Sequence, residues 1–417
     1  MSPAARLRLF YFLYYGSVGA NLPYFAPYLR GLGFSGGAIG TVQMLGPLLA
    51  APVALSWASA ADRLGSPARA LRLAALWVLA SVLFLPAART PLAVGAVLLS
   101  QALADRAVVP LVDAVSMEYV RHEPRLSYAR IRLFGSLGYV ALSLGVGLLL
   151  WRRGDRPADL AVPLTLVACV GGYALAARGL PSPPPAGERP RLGEALGLLR
   201  SRPLLALLAV ATVHWGATAP YHVLFGVHVH DLGLPAWVTG VASSAGVGAE
   251  IVALLLFPRL EARLSTRGLF ALAFGGSAVR WLLSVAVRDA APLVAVQLLH
   301  GLTFGVFWGA SVRSMARLVP ARLRASGQAL FSAAVFGGGN ALGYQLSGRG
   351  YDHYGAVAPL FGWAGAAELA ALAGALILLR EPGRDADPPA TGRADGVGRQ
   401  RLVSHDSTDR VSSDPPL

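Results

Sequence analysis

Five ionisable residues sit inside otherwise apolar stretches: Asp113 and Arg132 within LVDAVSMEYVRHEPRLSYARIRLFGSLGYV (111–140), then Glu250, Arg280 and His300. Carboxylate, guanidinium and imidazole are the groups that exchange protons and hold anions. Among apolar neighbours each is costly unless it faces another such group or a wet cavity. Asp113 and Arg132 are equidistant from the charged turn RHEPR (121–125), so an antiparallel hairpin puts them at one depth, where they can neutralise one another. Glu250 and Arg280 flank the turn RLEARLSTRG in the same way, and Arg280 and His300 flank RDAA. All three therefore belong at one level, near the middle of the apolar layer. A Glu–Arg pair that opens and closes alters the carboxylate's proton affinity and can load and release a proton. Packing alone is the alternative for the Asp113–Arg132 pair, and a structural hydrogen bond is the alternative for His300. Asp105, Arg106, Glu118 and Arg313 lie nearer helix ends or are adjacent in sequence, and read as packing or interfacial residues. HVHD (228–231) has metal-like spacing but lies at a helix end, so no metal is expected there.

Aromatic residues with polar tips gather in two places: Tyr11, Tyr14, Tyr15 and Tyr24, then His214, Trp215, Tyr221 and His222. Such rings can stack on a planar ligand while their tips hydrogen-bond. An aromatic belt at the membrane surface is the alternative.

Positioning these residues requires membrane helices. The chain is 55% hydrophobic and 14% charged, with mean hydropathy +0.54; soluble domains carry about 25% charged residues. Every positive side chain is arginine, with no lysine. That excludes a Walker A lysine and a Schiff-base lysine, so uphill work must come from an ion gradient. No cofactor is expected. One cysteine, Cys169, forbids an internal disulfide. The net charge of +14 reflects where the arginines sit rather than nucleic-acid binding. The apolar N-terminal stretch reads as a first membrane helix rather than a cleaved signal.

Apolar stretches of about 20 residues, enough to cross a bilayer, recur at 9–29, 37–58, 71–88, 92–115, 130–151 and 160–177. They recur again at 204–227, 236–257, 269–287, 292–314, 326–347 and 357–379. The expected fold is an all-α membrane protein of twelve transmembrane helices in two six-helix pseudo-repeats. Residues 1–179 form the N-terminal bundle, 180–203 a cytoplasmic linker, 204–380 the C-terminal bundle and 381–417 a disordered tail. Arginines crowd the loops that share a side with both termini, placing those termini in the cytoplasm by the positive-inside rule. An offset of 200 residues superimposes Gly16 on Gly216, Gly46 on Gly246 and Arg63-Leu64 on Arg263-Leu264, among other identities.

Parallel six-helix repeats resemble the major facilitator arrangement. The turn ADRLGSPARAL (61–71) resembles that superfamily's signature loop, which implies a cytoplasmic gate role for Asp62, Arg63, Gly65 and Arg69; Ala58 stands where the pattern has glycine. PLVDA, RLFGSLGY, YHVLFG, AEIVALL, VRW and QLLHGLTF, in that order over residues 10–380, resemble the phenylpropionate permease family. More distantly, the chain is similar to the lactose/proton symporter. That likeness implies substrate binding by Asp113 and Arg132, and proton coupling by Glu250, Arg280 and His300. Thr303 and Gln297 stand where that carrier has a carboxylate and a lysine, so its proton relay cannot be copied whole and Glu250 becomes the leading proton site.

The resemblance implies a proton-coupled symporter of the bacterial inner membrane, monomeric and without enzymatic activity. Its partners would be lipid, a proton and a small organic substrate such as an aromatic carboxylate. Tyr14, Tyr15, Trp215 and Tyr221 would meet the ring. The alternatives are a sugar or nucleoside symporter and, less favoured, a drug efflux antiporter.

Overall fold

A backbone immersed in hydrocarbon must satisfy its hydrogen bonds internally, and among the described residues it does so with helices alone. The computed structural model describes residues 1–123, 126–180 and 197–379. The expected tail, and the expected linker apart from Leu180 and residues 197–203, lie outside the described residues.

The first part of the chain forms α1 (Pro3–Asn21), α2 (Phe25–Gly31), α3 (Gly36–Arg63), α4 (Pro67–Val82), α5 (Pro91–His122), α6 (Tyr128–Arg152) and α7 (Ala161–Ala177). The second forms α8 (Arg202–Ala217), α9 (Ala219–Asp231), α10 (Ala236–Arg263), α11 (Thr266–Ala286) and α12 (Ala290–Val296). It continues with α13 (Phe307–Leu318), α14 (Arg324–Phe331), α15 (Asn340–Tyr354) and α16 (Ala358–Leu378). π-helical turns, Gly301–Val306 and Ser332–Gly339, interrupt the path from α12 to α13 and from α14 to α15.

Local chemistry sets the helix starts. The side chains of Ser2, Ser35, Ser66, Thr90 and Ser265 each accept from the backbone N–H three residues on, satisfying donors that a helix start leaves open. Gly65, at φ +61, ends α3 in the left-handed conformation that suits glycine. The twelve apolar stretches all fall on these helices. By length and composition, nine helical spans among the described residues can cross a membrane, with Ala161–Ala177 a shorter apolar helix. The first stretch is not continuous: Leu22–Tyr24 separate α1 from α2.

Helix α1 packs on α6 and α7, α4 on α5 and α7, and α3 on α5; α16 packs on α8 and α11. Glycines let backbones touch. A Cβ on Gly138 would strike the Phe12 carbonyl, so α1 and α6 meet main chain to main chain. Contacts that join the two parts of the chain include α3 with α15 and with the Ser332–Gly339 turn, α6 with α10, and α2 with α9. Across these seams a Cβ would collide with carbonyl oxygen: Gly40 with Tyr344, Gly240 with Ser143, and Gly226 with Pro23, just before α2.

The end of the protein where α3 and α10 begin is held by two similar devices. Asp352 accepts from the Gly36 and Gly37 N–H groups at 2.5 and 2.7 Å, placing a carboxylate on the positive end of α3. Asp155 does the same, more loosely, at the Ala236 N–H that starts α10, with both oxygens at 3.4 Å. Helices α3 and α10 each span 28 residues, and their bounds coincide at an offset of 200; Gly33 and Gly233 before them both have positive φ. Replacing Asp352 with alanine removes a charge-assisted contact between α3 and α15. The distance between spin labels at Leu32 and His353 should then broaden and lengthen, whereas an unchanged distribution would show that the glycine packing alone holds this end.

Candidate functional site

Two ionised clusters form, each organised by tyrosine rather than by a direct ion pair. In the first, Tyr11 and Tyr15 project from one face of α1, as residues four apart do. The Tyr11 hydroxyl donates to Asp113 Oδ1 on α5 at 2.5 Å and lies 3.2 Å from Ser116 Oγ. Arg132 on α6 donates to the Tyr15 hydroxyl; its Cζ stands 3.9 Å from the Tyr15 ring centroid and 5.5 Å from that of Tyr11. A Cβ on Gly135 would press into both Tyr15 and Arg132, so this glycine makes the stack possible. The expected direct neutralisation of Asp113 by Arg132 is corrected: among the described residues no ion pair joins them. The two tyrosines of α1 take up the charges instead, leaving Arg132 with donors to offer a ligand.

The second cluster centres on Arg280, wholly buried on α11. Its guanidinium lies 4.3 Å from the ring centroids of both Tyr221 and Trp281. Nε and Nη2 donate to Gln297 Oε1 at 3.2 and 2.6 Å, and Nη1 reaches His300 Nδ1 at 3.0 Å. Arginine can only donate, so His300 Nδ1 is the acceptor and the imidazole proton sits on Nε2. That Nε2 faces Glu250 Oε2 at 3.7 Å, beyond hydrogen-bond range. The expected Glu250–Arg280 contact is therefore also corrected: His300 stands between them, forming the sequence Arg280–His300–Glu250. A Cβ on Gly246 would come within 3.3 Å of His300 Cβ, so the glycine lets α10 approach the imidazole.

A third, fully buried pair was not anticipated. His214 Nδ1 lies 2.8 Å from Glu368 Oε2, both side chains without exposure. Its Nε2 lies 3.0 Å from the Thr303 carbonyl, and Trp281 Nε1 donates to Glu368 Oε1 at 3.2 Å. A carbonyl only accepts, so Nε2 carries a proton. The close Nδ1–carboxyl contact then needs one more, on either partner, and the pair as a whole is neutral. His214 is thus not a ring facing a ligand. Glu368 had a visible signal, a lone carboxylate within FGWAGAAELAALAGALILL (361–379).

Trp215 lies apart from both ionised clusters, packed among His222, Phe304, Phe307 and Phe336. Tyr221 joins the second cluster. Tyr14 stacks on Phe10 and meets Tyr15 edge-on. Asp62, Arg63, Gly65 and Arg69 form the exposed turn from α3 to α4. Glu118 pairs with Arg121 at 2.8 Å, and Arg313 with Glu261 at 3.3 Å. Asp231 of HVHD accepts from the Tyr351 hydroxyl at 2.9 Å. Asp105 and Arg106 occupy the middle of α5, with their side chains 3.9 Å apart.

Removing one member of the His214–Glu368 pair leaves the other buried and unpaired, a loss of about 3–5 kcal/mol. Glu368→Leu should lower the thermal midpoint sharply, and the double variant His214→Phe/Glu368→Leu should recover much of it. An additive double variant would show that the two residues are not coupled.

The family model described as "MFS_1 like family" matches residues 4–361. The chain is 32% identical to a maltose permease of Geobacillus stearothermophilus over 80% of its length and 83% of the relative. It is 29% identical to a probable 3-phenylpropionic acid transporter of Escherichia coli (strain K12), over 84% of its length and 91% of that protein. Among solved structures, the nucleoside transporter NupG superimposes with a TM-score of 0.79 at 18% identity, covering 90% of this chain and 99% of that one. At that identity the likeness is one of fold.

Proposed function

Because the chain belongs to the MFS_1-like family, and so is a multi-pass major facilitator secondary transporter rather than an enzyme, we propose that it couples uptake of a small organic substrate to a proton. The sequence Arg280–His300–Glu250 carries this reading. His300 presents a protonated Nε2 to a carboxylate that, among the described residues, pairs with no arginine, so a small rearrangement closes or opens the proton path. Glu250 takes the proton, His300 faces it through Nε2, and Arg280 fixes the imidazole tautomer by donating to Nδ1. The inferred architecture is twelve helices in two six-helix halves, residues 1–179 and 204–380, alternating access around the space between them. Both termini face the cytoplasm of a bacterial cell, the chain acts as a monomer in the inner membrane, and Asp62, Arg63, Gly65 and Arg69 gate the cytoplasmic side.

For the substrate, Arg132 stacked on Tyr15 and close to Tyr11 suits an aromatic carboxylate. The guanidinium would meet the carboxylate in the bidentate manner it favours, and the tyrosines the ring. Asp113, held by Tyr11, orients that seat, Tyr14 meets Tyr15 edge-on beside it, and Tyr221 and Trp215 would meet the substrate from the second part of the chain. The relative named as a probable 3-phenylpropionic acid transporter supports this reading. A neutral sugar or nucleoside is the second reading, favoured by a separate cavity lined with side-chain amides and by relatives named as a maltose permease and a putative nucleoside transporter.

Glu250→Gln keeps the shape of the site but cannot release a proton. In proteoliposomes it should abolish accumulation against a gradient while sparing downhill exchange; equal loss of both would remove Glu250 from the coupling role.

A further inference from the structure

A cavity of about 240 Å³ lies between α1, α3, α5 and α15, lined by Asn21, Gln43, Gln101, Asp105, Arg106 and Asn340 among others. Its walls are polar but poorly satisfied. Asn21 Oδ1, Gln43 Nε2 and Asn340 Oδ1 are shut off from solvent and have no hydrogen-bond partner. A buried polar atom left in that state costs about 1–3 kcal/mol, and three around one space are hard to reconcile with a packing role. The Asp105–Arg106 contact, at 3.9 Å between neighbours in sequence, leaves most of the bonding capacity of both groups open. Arg106 is nonetheless placed: its guanidinium fills the space that a side chain on Gly46 would occupy. The relation repeats across the chain, since Gly246, the 200-residue counterpart of Gly46, makes room for His300.

We propose that this cavity is a seat for a neutral, hydroxyl-rich single ring, either a free sugar or the ribose of a nucleoside. The inference rests on the reading of the chain as a transporter and names a substrate class and seat within it. Asn and Gln each supply both donors and an acceptor, which is what a ring of hydroxyls needs. Asp105 accepts from hydroxyl hydrogens and Arg106 donates to hydroxyl oxygens, while their opposite charges cancel and give no preference for an anion. The volume is below the range of about 300–1,000 Å³ typical of drug-sized ligand pockets, so one ring fits and a larger molecule extends out of it. The cavity is distinct from the Arg132–Tyr15 stack, whose guanidinium favours a carboxylate.

The purified full-length protein separates these cases by calorimetric titration with D-glucose, maltose, uridine and 3-phenylpropionate, alongside proton-driven uptake of the same four in proteoliposomes. Binding of glucose or maltose identifies a free sugar, and binding of uridine alone a nucleoside. Gln43→Leu and Asn340→Leu should each weaken that binding at least tenfold without lowering the melting temperature, because each removes an unpartnered amide. Gln43→Ala provides the same test if leucine does not fit. Unchanged affinity in these variants, or no binding of any hydroxyl-rich probe, overturns the seat. Binding and uptake of 3-phenylpropionate alone, lost in Arg132→Gln, overturns the seat while leaving the transport reading intact. Absence of proton-driven uptake of a probe that binds overturns the coupling reading instead.

Discussion

A guanidinium with no exposure to water organises the second part of this molecule. Arg280 keeps its charge because arginine does not deprotonate in proteins, so its surroundings must meet the charge in place. Two aromatic faces, one amide oxygen and one imidazole nitrogen do so. Each carries a consequence. Gln297 is fixed as an acceptor, His300 is fixed in one tautomer, and Trp281 is held against the guanidinium with its indole N–H on Glu368. The buried His214–Glu368 pair is therefore tied to the Arg280 cluster through one tryptophan, and Thr303 ties it to the π-helical turn that follows His300.

The all-helical class and the places of the apolar stretches were legible because hydropathy marks long apolar helices, of which nine spans among the described residues can cross a membrane. Partner choice was not. Depth says that Glu250, Arg280 and His300 share a layer, but which of them touch depends on helix rotation and on what stands between. In both clusters something does: His300 in one, the tyrosines of α1 in the other. Glu368 was missed for a different reason: its partner is a histidine that composition groups with aromatic residues.

The two parts of the chain solve similar problems at corresponding positions. A carboxylate sits on the start of α3 and another on the start of α10. A glycine inside each of these helices admits a nitrogen-bearing side chain, Arg106 on α5 or His300 at the turn before the first π segment. The correspondence is geometric rather than chemical, since the side chain admitted differs. A duplicated frame that keeps its glycines while changing what fills them can hold a permanent charge on one side and a titratable group on the other.

That asymmetry bears on how a proton and a substrate can share one path. Arg106 and Arg132 are fixed charges, and each shares its surroundings with a carboxylate, Asp105 or Asp113. In the second part the neighbours are a carboxylate and an imidazole, Glu250 and His300, beside the path from α12 to α15 that contains both π-helical turns. A π turn replaces ordinary i to i−4 bonds with longer ones and commonly marks a functional position. Here one of them begins beside His300 and is tethered at Thr303 by His214. A change in the charge at His300 would act on a helix already interrupted there, whereas α6, which carries Arg132, has no such turn and α5, which carries Arg106, is broken only by Pro110. Under the proposed coupling, the substrate-facing charges of the first part and the Glu250–His300 pair of the second must meet the same space.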